Sequence, residues 1–251
     1  MTTQIRSELL KLTTVPTSTI FAAATAAFVG LLVATQAMTA GSEFSGPLTD
    51  ATTQEAMFVS GGPAALIAIV FGCLSLTSEL RHDTIVPTLL FDPRRPSMVV
   101  AKAVATLLAG AALGVIGILV AVGATGAILA ATGTAVVADL GQVGLVAAGT
   151  VGGAAIGAVF GLGVGGIVRN QALAVGVVLI VLLVIEPLVG SFLPEVAPWL
   201  PAGLATGHAT GMSEGRAVAV SALWLSAVAF AGYALVTTAG ATWRLRRADI
   251  T

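Results

Sequence analysis

Charge is what this sequence has least of. Only 9% of its 251 residues are Asp, Glu, Lys or Arg, against 57% hydrophobic, where a soluble domain carries roughly a quarter charged. A water-facing surface cannot be covered with that composition, so the chain reads as an integral membrane protein. A single cysteine, Cys73 in an apolar run, excludes an intrachain disulfide and leaves the redox compartment unread. With only His82 and His208, HExxH and other multi-histidine metal sites are excluded. The only lysines, Lys11 and Lys102, precede Leu12 and Ala103. The GK[ST] of a P-loop is therefore missing, and with it that cradle for ATP phosphates. Neither histidine sits at membrane depth beside a nucleophile, and no chain of acids and bases threads the apolar runs. No catalytic residue, metal site or nucleic-acid partner is expected.

What is present is apolar sequence in long runs. A hydrocarbon core of about 30 Å needs roughly 20 apolar residues per helix. Six windows reach that length, at about 18–38, 57–77, 103–131, 144–168, 172–193 and 217–240. Backbone groups in lipid must be satisfied within the segment, so all six are expected to be helices of one transmembrane domain covering 1–251. The first run is longer than a signal-peptide core and more spans follow it, so it is kept as a span. Before it, Ile5, Leu9 and Leu12 recur at helical spacing with Arg6, Glu8 and Lys11 elsewhere around the helix. That pattern predicts an interfacial helix rather than a frayed tail.

The basic residues orient the chain. With a cytoplasmic N-terminus, ten of the eleven Lys and Arg fall inside beside five acids, while Arg216 and seven acids fall outside. Both termini are then cytoplasmic.

Several local features stand out. Gly61, Gly62 and Pro63 should kink the outer end of the second span, a hinge being the sharper reading. Gly149, Gly153, Gly157, Gly161 and Gly165 form overlapping GxxxG steps, which let a backbone approach closely. Intrachain helix packing is the favoured reading over a moving face or a subunit contact. Arg169–Gln171 leaves room only for a tight hairpin. Glu186, beside Pro187, is placed near the outer boundary, and an acid in a span is a candidate for gate or pathway. Residues 187–215, punctuated by proline and carrying Trp199, suit short helices dipping into the outer leaflet over an exit path. Arg244, Arg246 and Arg247 beside Trp243 are accounted for by anionic lipid.

The one long polar interruption is 78–102, which holds Glu79, Arg81, His82, Asp83, Asp92, Arg94, Arg95 and Lys102. Leu80, Thr84, Ile85 and Thr88 fit a short amphipathic helix, ended by Pro93 and Pro96. A charged helix held between two spans is shaped to be gripped by a soluble partner.

Taken together these features resemble the membrane-spanning permease subunits of type-2 ABC transporters, the class that exports drugs, lipids and polysaccharides. The resemblance is carried by Glu8 and Lys11 in RSELLKL, and by SELRHDTIVPTLLFDPRR with the later Lys102. The short turn at Arg169–Gln171, the segment before the last span and the closing RRADI add to it, while Asp83 stands where glycine is common in the family. The resemblance implies a half-transporter in which two permeases, identical or related, pair in a bacterial plasma membrane. Two separate ATPase subunits, carrying ATP and Mg, would dock on a coupling helix at 78–92. Glu79, Leu80, Arg81, His82, Asp83, Thr84 and Ile85 would make that contact. A lipophilic or amphipathic cargo matches spans rich in Ala, Gly, Val and Leu. A stand-alone secondary transporter, an intramembrane enzyme and a non-transporting scaffold or immunity subunit are the competing readings. The first lacks ionisable residues near mid-membrane and the second lacks paired catalytic groups.

Overall fold

The computed structural model describes residues 2–43, 45–81, 95–196, 199–210 and 220–247. Helices account for the ordered elements, with no strand among the described residues. In chain order they are α1 (Thr2–Thr14), α2 (Pro16–Thr39), α3 (Ala51–Phe58), α4 (Ala64–Arg81), α5 (Arg95–Thr132), α6 (Leu140–Val168) and α7 (Gln171–Ile180). A π-helical turn (Val181–Ile185) leads into α8 (Glu186–Phe192), followed by α9 (Pro201–Thr210) and α10 (Val220–Arg247). Six segments are long and apolar enough to cross a membrane: Pro16–Thr39, Ala64–Arg81, Met98–Thr132, Leu140–Val168, Gln171–Phe192 and Trp224–Leu245. Six candidate spans among the described residues fit a multi-pass membrane protein. His82, Asp83, Thr84 and Ile85 lie outside the described residues.

Two boundaries differ from the sequence expectation. The run 57–77 is not one helix: α3 stops at Phe58, and the chain turns through Val59–Pro63 before α4 starts at Ala64. Gly61, Gly62 and Pro63 thus break the helix outright, and the span gains its length at the other end, through Arg81. The helix of the last span, α10, runs on to Arg247, past the 240 expected at that end; residues 217–219 lie outside the described residues.

At the centre stands α6, the most buried span, which packs on α4, α5, α9 and α10. Its side chains are small, and this is what allows the contact. At Gly161 an added Cβ would run into the carbonyl oxygen of Ile69 in α4; at Gly72 of α4 one would run into the carbonyl oxygen of Ala158. The two backbones interlock without side chains between them. Gly157 sits 3.0 Å (Cβ position) from Ile69 Cγ1 and Gly165 2.5 Å from the Cys73 carbonyl oxygen, continuing the same face. Gly153 is buried and Gly149 half-buried. A second face of α6, formed by Gly163 and Gly166, receives Thr237 and Ala241 of α10. The apolar filling is one cluster containing Ile69, Phe71, Phe160 and Phe230, with Phe21 set edge-on against Phe71. Apolar surface is left exposed on α2, α5, α7 and α10, at Leu31, Leu119, Leu173 and Val236.

The hairpin between α6 and α7 closes in two residues. Arg169 caps α6 in the left-handed conformation (φ 63°), its N–H bonding to the Gly165 carbonyl, and the Asn170 side chain accepts from Leu173 N to start α7.

Candidate functional site

Four of the chain's scarce charges are gathered into one place. Glu8 and Lys11 lie one turn apart on α1 and so share a face. Glu79 sits in the last turn of α4, and Lys102 on the second turn of α5. These four close a ring of alternating sign. Lys11 Nζ lies 2.5 Å from Glu8 Oε1 and 2.9 Å from Glu79 Oε1; Lys102 Nζ lies 2.7 Å from Glu8 Oε2 and 2.9 Å from Glu79 Oε1. Lys102 is 4% exposed and Glu8 8%, whereas the Lys11 side chain is half in solvent.

Burial alone would push the Glu8 carboxyl up; Lys102 and then Lys11 outweigh it and hold the group below the ordinary carboxylate range. Burial would pull the Lys11 ammonium down, but its hydrogen bonds to Glu8 and Glu79 hold it above the usual lysine value. Both groups are therefore charged at neutral pH. The ring sets two acids against two lysines and ties α1 to the facing ends of two spans. Its elements come from positions 68 and 94 residues apart in sequence.

Beside the ring lies a cavity of about 520 Å³. Leu12, Val15, Phe71 and Leu74 form its apolar wall, with Ser75 and Thr106 among its hydroxyls. The same end of the bundle collects the remaining described cations. The Arg81 guanidinium donates to Gln171 Oε1 at 3.3 Å, Arg244 donates to the Ile167 carbonyl, and Arg247 stacks 4.3 Å over the Trp243 ring. Arg6 is exposed. Leu80 packs with Met98, Val99 and Leu245 rather than projecting alone.

The far end is built from acids and amides. Gln54, fully buried on α3, donates to the carbonyls of Leu48 and Ala135 (both 2.8 Å) and accepts from Val137 N (2.8 Å) and Ala138 N (3.2 Å). Glu55 accepts from Asp139 N at 3.0 Å, and Asp139 in turn caps α6 through Gly141 N. Pro63 is half-buried at the α3–α4 turn, and Trp199 is exposed just before α9. Glu186 is buried, and its Oε2 accepts from Ala202 N at 2.7 Å.

The structure thus brings Glu8, Lys11 and Glu79 together with Lys102, and leaves Pro63, Glu186 and Trp199 at the opposite end from them. Two features escaped sequence reasoning. The Gln54 clamp had as its only signal a lone amide in an apolar stretch. The ring had one usable signal, since both lysines of the chain belong to it. Among the described residues no group of His, Cys, Asp and Glu is arranged to hold a metal ion. No protein-family model matches this chain, and no curated protein does either.

Proposed function

We propose that the chain is the permease subunit of an ATP-binding-cassette exporter in a bacterial plasma membrane, with both termini cytoplasmic. It pairs with a second permease, and two separate ATPase subunits drive it by seating the connection between α4 and α5. The cargo is lipophilic or amphipathic, in keeping with apolar spans, and helix α9 with the segment before it forms a re-entrant cover at the outer end.

The observation that carries this reading is the ring. Glu79 and Lys102 flank the connection between α4 and α5, and their 2.9 Å bridge pins that connection shut at its base. A push delivered to the connection would then move α4, α5 and α1 as one body instead of being absorbed in a slack loop. This changes the part expected of Glu79. Its carboxylate faces two lysines of its own chain, so it belongs to the transmission, while the contact with the partner is assigned to His82, Asp83 and Ile85. Charge pairs there would set register and encounter rate more than affinity.

The test uses variants that spare the ring. The chain is co-expressed with an ATPase subunit encoded beside it and purified through a tag on the permease, comparing wild type with Asp83→Arg plus Ile85→Asp. Co-purification with wild type and its loss in the double variant is the expected result. An ATPase that binds and is stimulated equally by both proteins would refute docking through this connection. The acids and cations at opposite ends are checked separately, by reagent labelling of cysteines placed at Ser45 and Ser7 in intact cells.

A further inference from the structure

Glu186 is the one acid inside a span that no ion pair occupies among the described residues. Three local facts surround it. The helix of span five widens into a π-helical turn at Val181–Ile185 immediately before it, a deformation that re-aims the following side chains and recurs at functional positions. Pro187 follows it, so this is where the helix ladder is already weakest. Its carboxylate is 6% exposed and is spent on the start of another helix: Oε2 accepts from Ala202 N at 2.7 Å, and the Gly203 N–H is also bonded to the side chain. Ala202 and Gly203 stand in the first turn of α9, where the N–H groups have no partner within their own helix. Glu186 is therefore a helix cap supplied from a different span, its acceptor oxygen set at the positive end of α9.

Beyond this bond α9 is held by its packing against α6, α10 and α4. It is ten residues long, too short to be stable alone in water. Leu204 and Ala205 anchor it in the same apolar core as Phe160 and Phe230. The other oxygen of the carboxylate, Oε1, is buried and has no hydrogen-bond partner among the described residues. A half-satisfied carboxyl group in an apolar setting is costly to keep unless its remaining bonds are made. The cap adds to the packing that favours the docked position of α9, and leaves a group ready to accept another donor when it opens.

We infer that Glu186 is a latch: it holds α9 against the bundle, and release of the Ala202 and Gly203 amides frees the first turn of α9 as a unit. The hinge on the span side is the π-helical turn, whose extra backbone slack lets Glu186 withdraw without unwinding α7. This inference stands on local geometry and does not require the transport reading.

The experiment is hydrogen exchange followed by mass spectrometry on the full chain in lipid nanodiscs, comparing wild type, Glu186→Gln and Glu186→Ala. Glu186→Ala removes the acceptor, and peptides covering 199–205 should exchange about tenfold faster, the effect of losing a charged cap. Glu186→Gln retains one carbonyl oxygen to accept from the amides and should stay within about threefold of wild type. Peptides from α4 and α6 serve as the fold control and should be unchanged in both variants. Unaltered exchange of 199–205 in Glu186→Ala would overturn the latch. So would acceleration that spreads equally into α4 and α6, since Glu186 would then support the whole bundle. The docking variant described above leaves this readout untouched, so either proposal can fail without the other.

Discussion

Replacing Lys102 by methionine keeps the length and apolar stem of the side chain and removes only its charge. In the wild type the Lys102 side chain is 5% exposed and bonds carboxylates that are 10% and 12% exposed. After the substitution Glu8 and Glu79 share Lys11 alone, and that lysine is 45% exposed. Deleting one partner of a buried ion pair typically costs about 3–5 kcal/mol, because the other charge is stranded. The solvated side of Lys11 softens this, so the lower figure, about 3 kcal/mol, is expected. For a chain of this size it corresponds to a fall in Tm of roughly 6–12 °C. Tryptophan fluorescence during heating in detergent at neutral pH reads it. The companion variant is Glu8→Gln, Glu79→Gln and Lys102→Met together. Removing three charges at once leaves Lys11 alone at a half-exposed position, where its hydration is available, so stability should return to within about 1 kcal/mol of wild type. A Lys102→Met protein as stable as wild type would refute the claim that the ring holds α1 to the spans. A triple variant as unstable as the single one would show that volume, not charge, is at stake.

Two further outcomes follow from other parts of the structure. The carboxyl of Glu8 is held below its ordinary value of 4.5, so it contributes stability at pH above that value which is lost as pH falls through the lowered one. Lys11, raised above 10.5, contributes stability that is complete below that value and is lost as pH climbs through the raised one. These two groups therefore leave Tm unchanged between those limits, and Glu8→Gln should flatten the acid limb while lowering the plateau; an unchanged acid limb would exclude Glu8 as its source. Gly161→Ala places a methyl against the Ile69 carbonyl and should cost more than about 3 kcal/mol with loss of a monodisperse protein, whereas Gly152→Ala, with nothing within 4 Å, should be neutral or up to about 1 kcal/mol more stable. Equal tolerance of the two, read by size-exclusion profile and Tm, would contradict the α4–α6 packing.

How much of this could be read from residues alone follows the range of the interactions. Hydropathy is additive along the chain, so all six spans were legible, and the four-residue glycine period identified one close-packing face of α6. Boundaries were legible only where a local breaker is decisive. The Gly61–Pro63 cluster signals a bend, but whether lipid tolerates a kink or forces a break depends on what fills the gap. Here Ile118 and Gly117 of α5 pack against Gly61, and Gln54 supplies the missing hydrogen bonds to the loop across from it. Neither contact has a sequence signature. Gly163 and Gly166 interleave with the recognised glycine row, but the face they form becomes visible only once α10 is seated on it.

The ring shows the same limit more sharply. Glu8 and Lys11 read only as charges around a short amphipathic helix, and Glu79 read as a charge offered outward, because a single acid at the end of a span has no visible partner in one dimension. Three segments must converge before the pairing exists. Yet the composition held a clue of its own. A chain with two lysines, placed where arginine serves at nine other positions, uses both in one ring, where a compact ammonium can serve two carboxylates at once and a planar guanidinium would demand a bidentate face. Isolated buried ion pairs contribute little net stability compared with apolar packing. The ring's contribution is instead geometric: it fixes the depth of α1 and the spacing of α4 and α5 together, and a displacement of any one of the three must be shared by the other two.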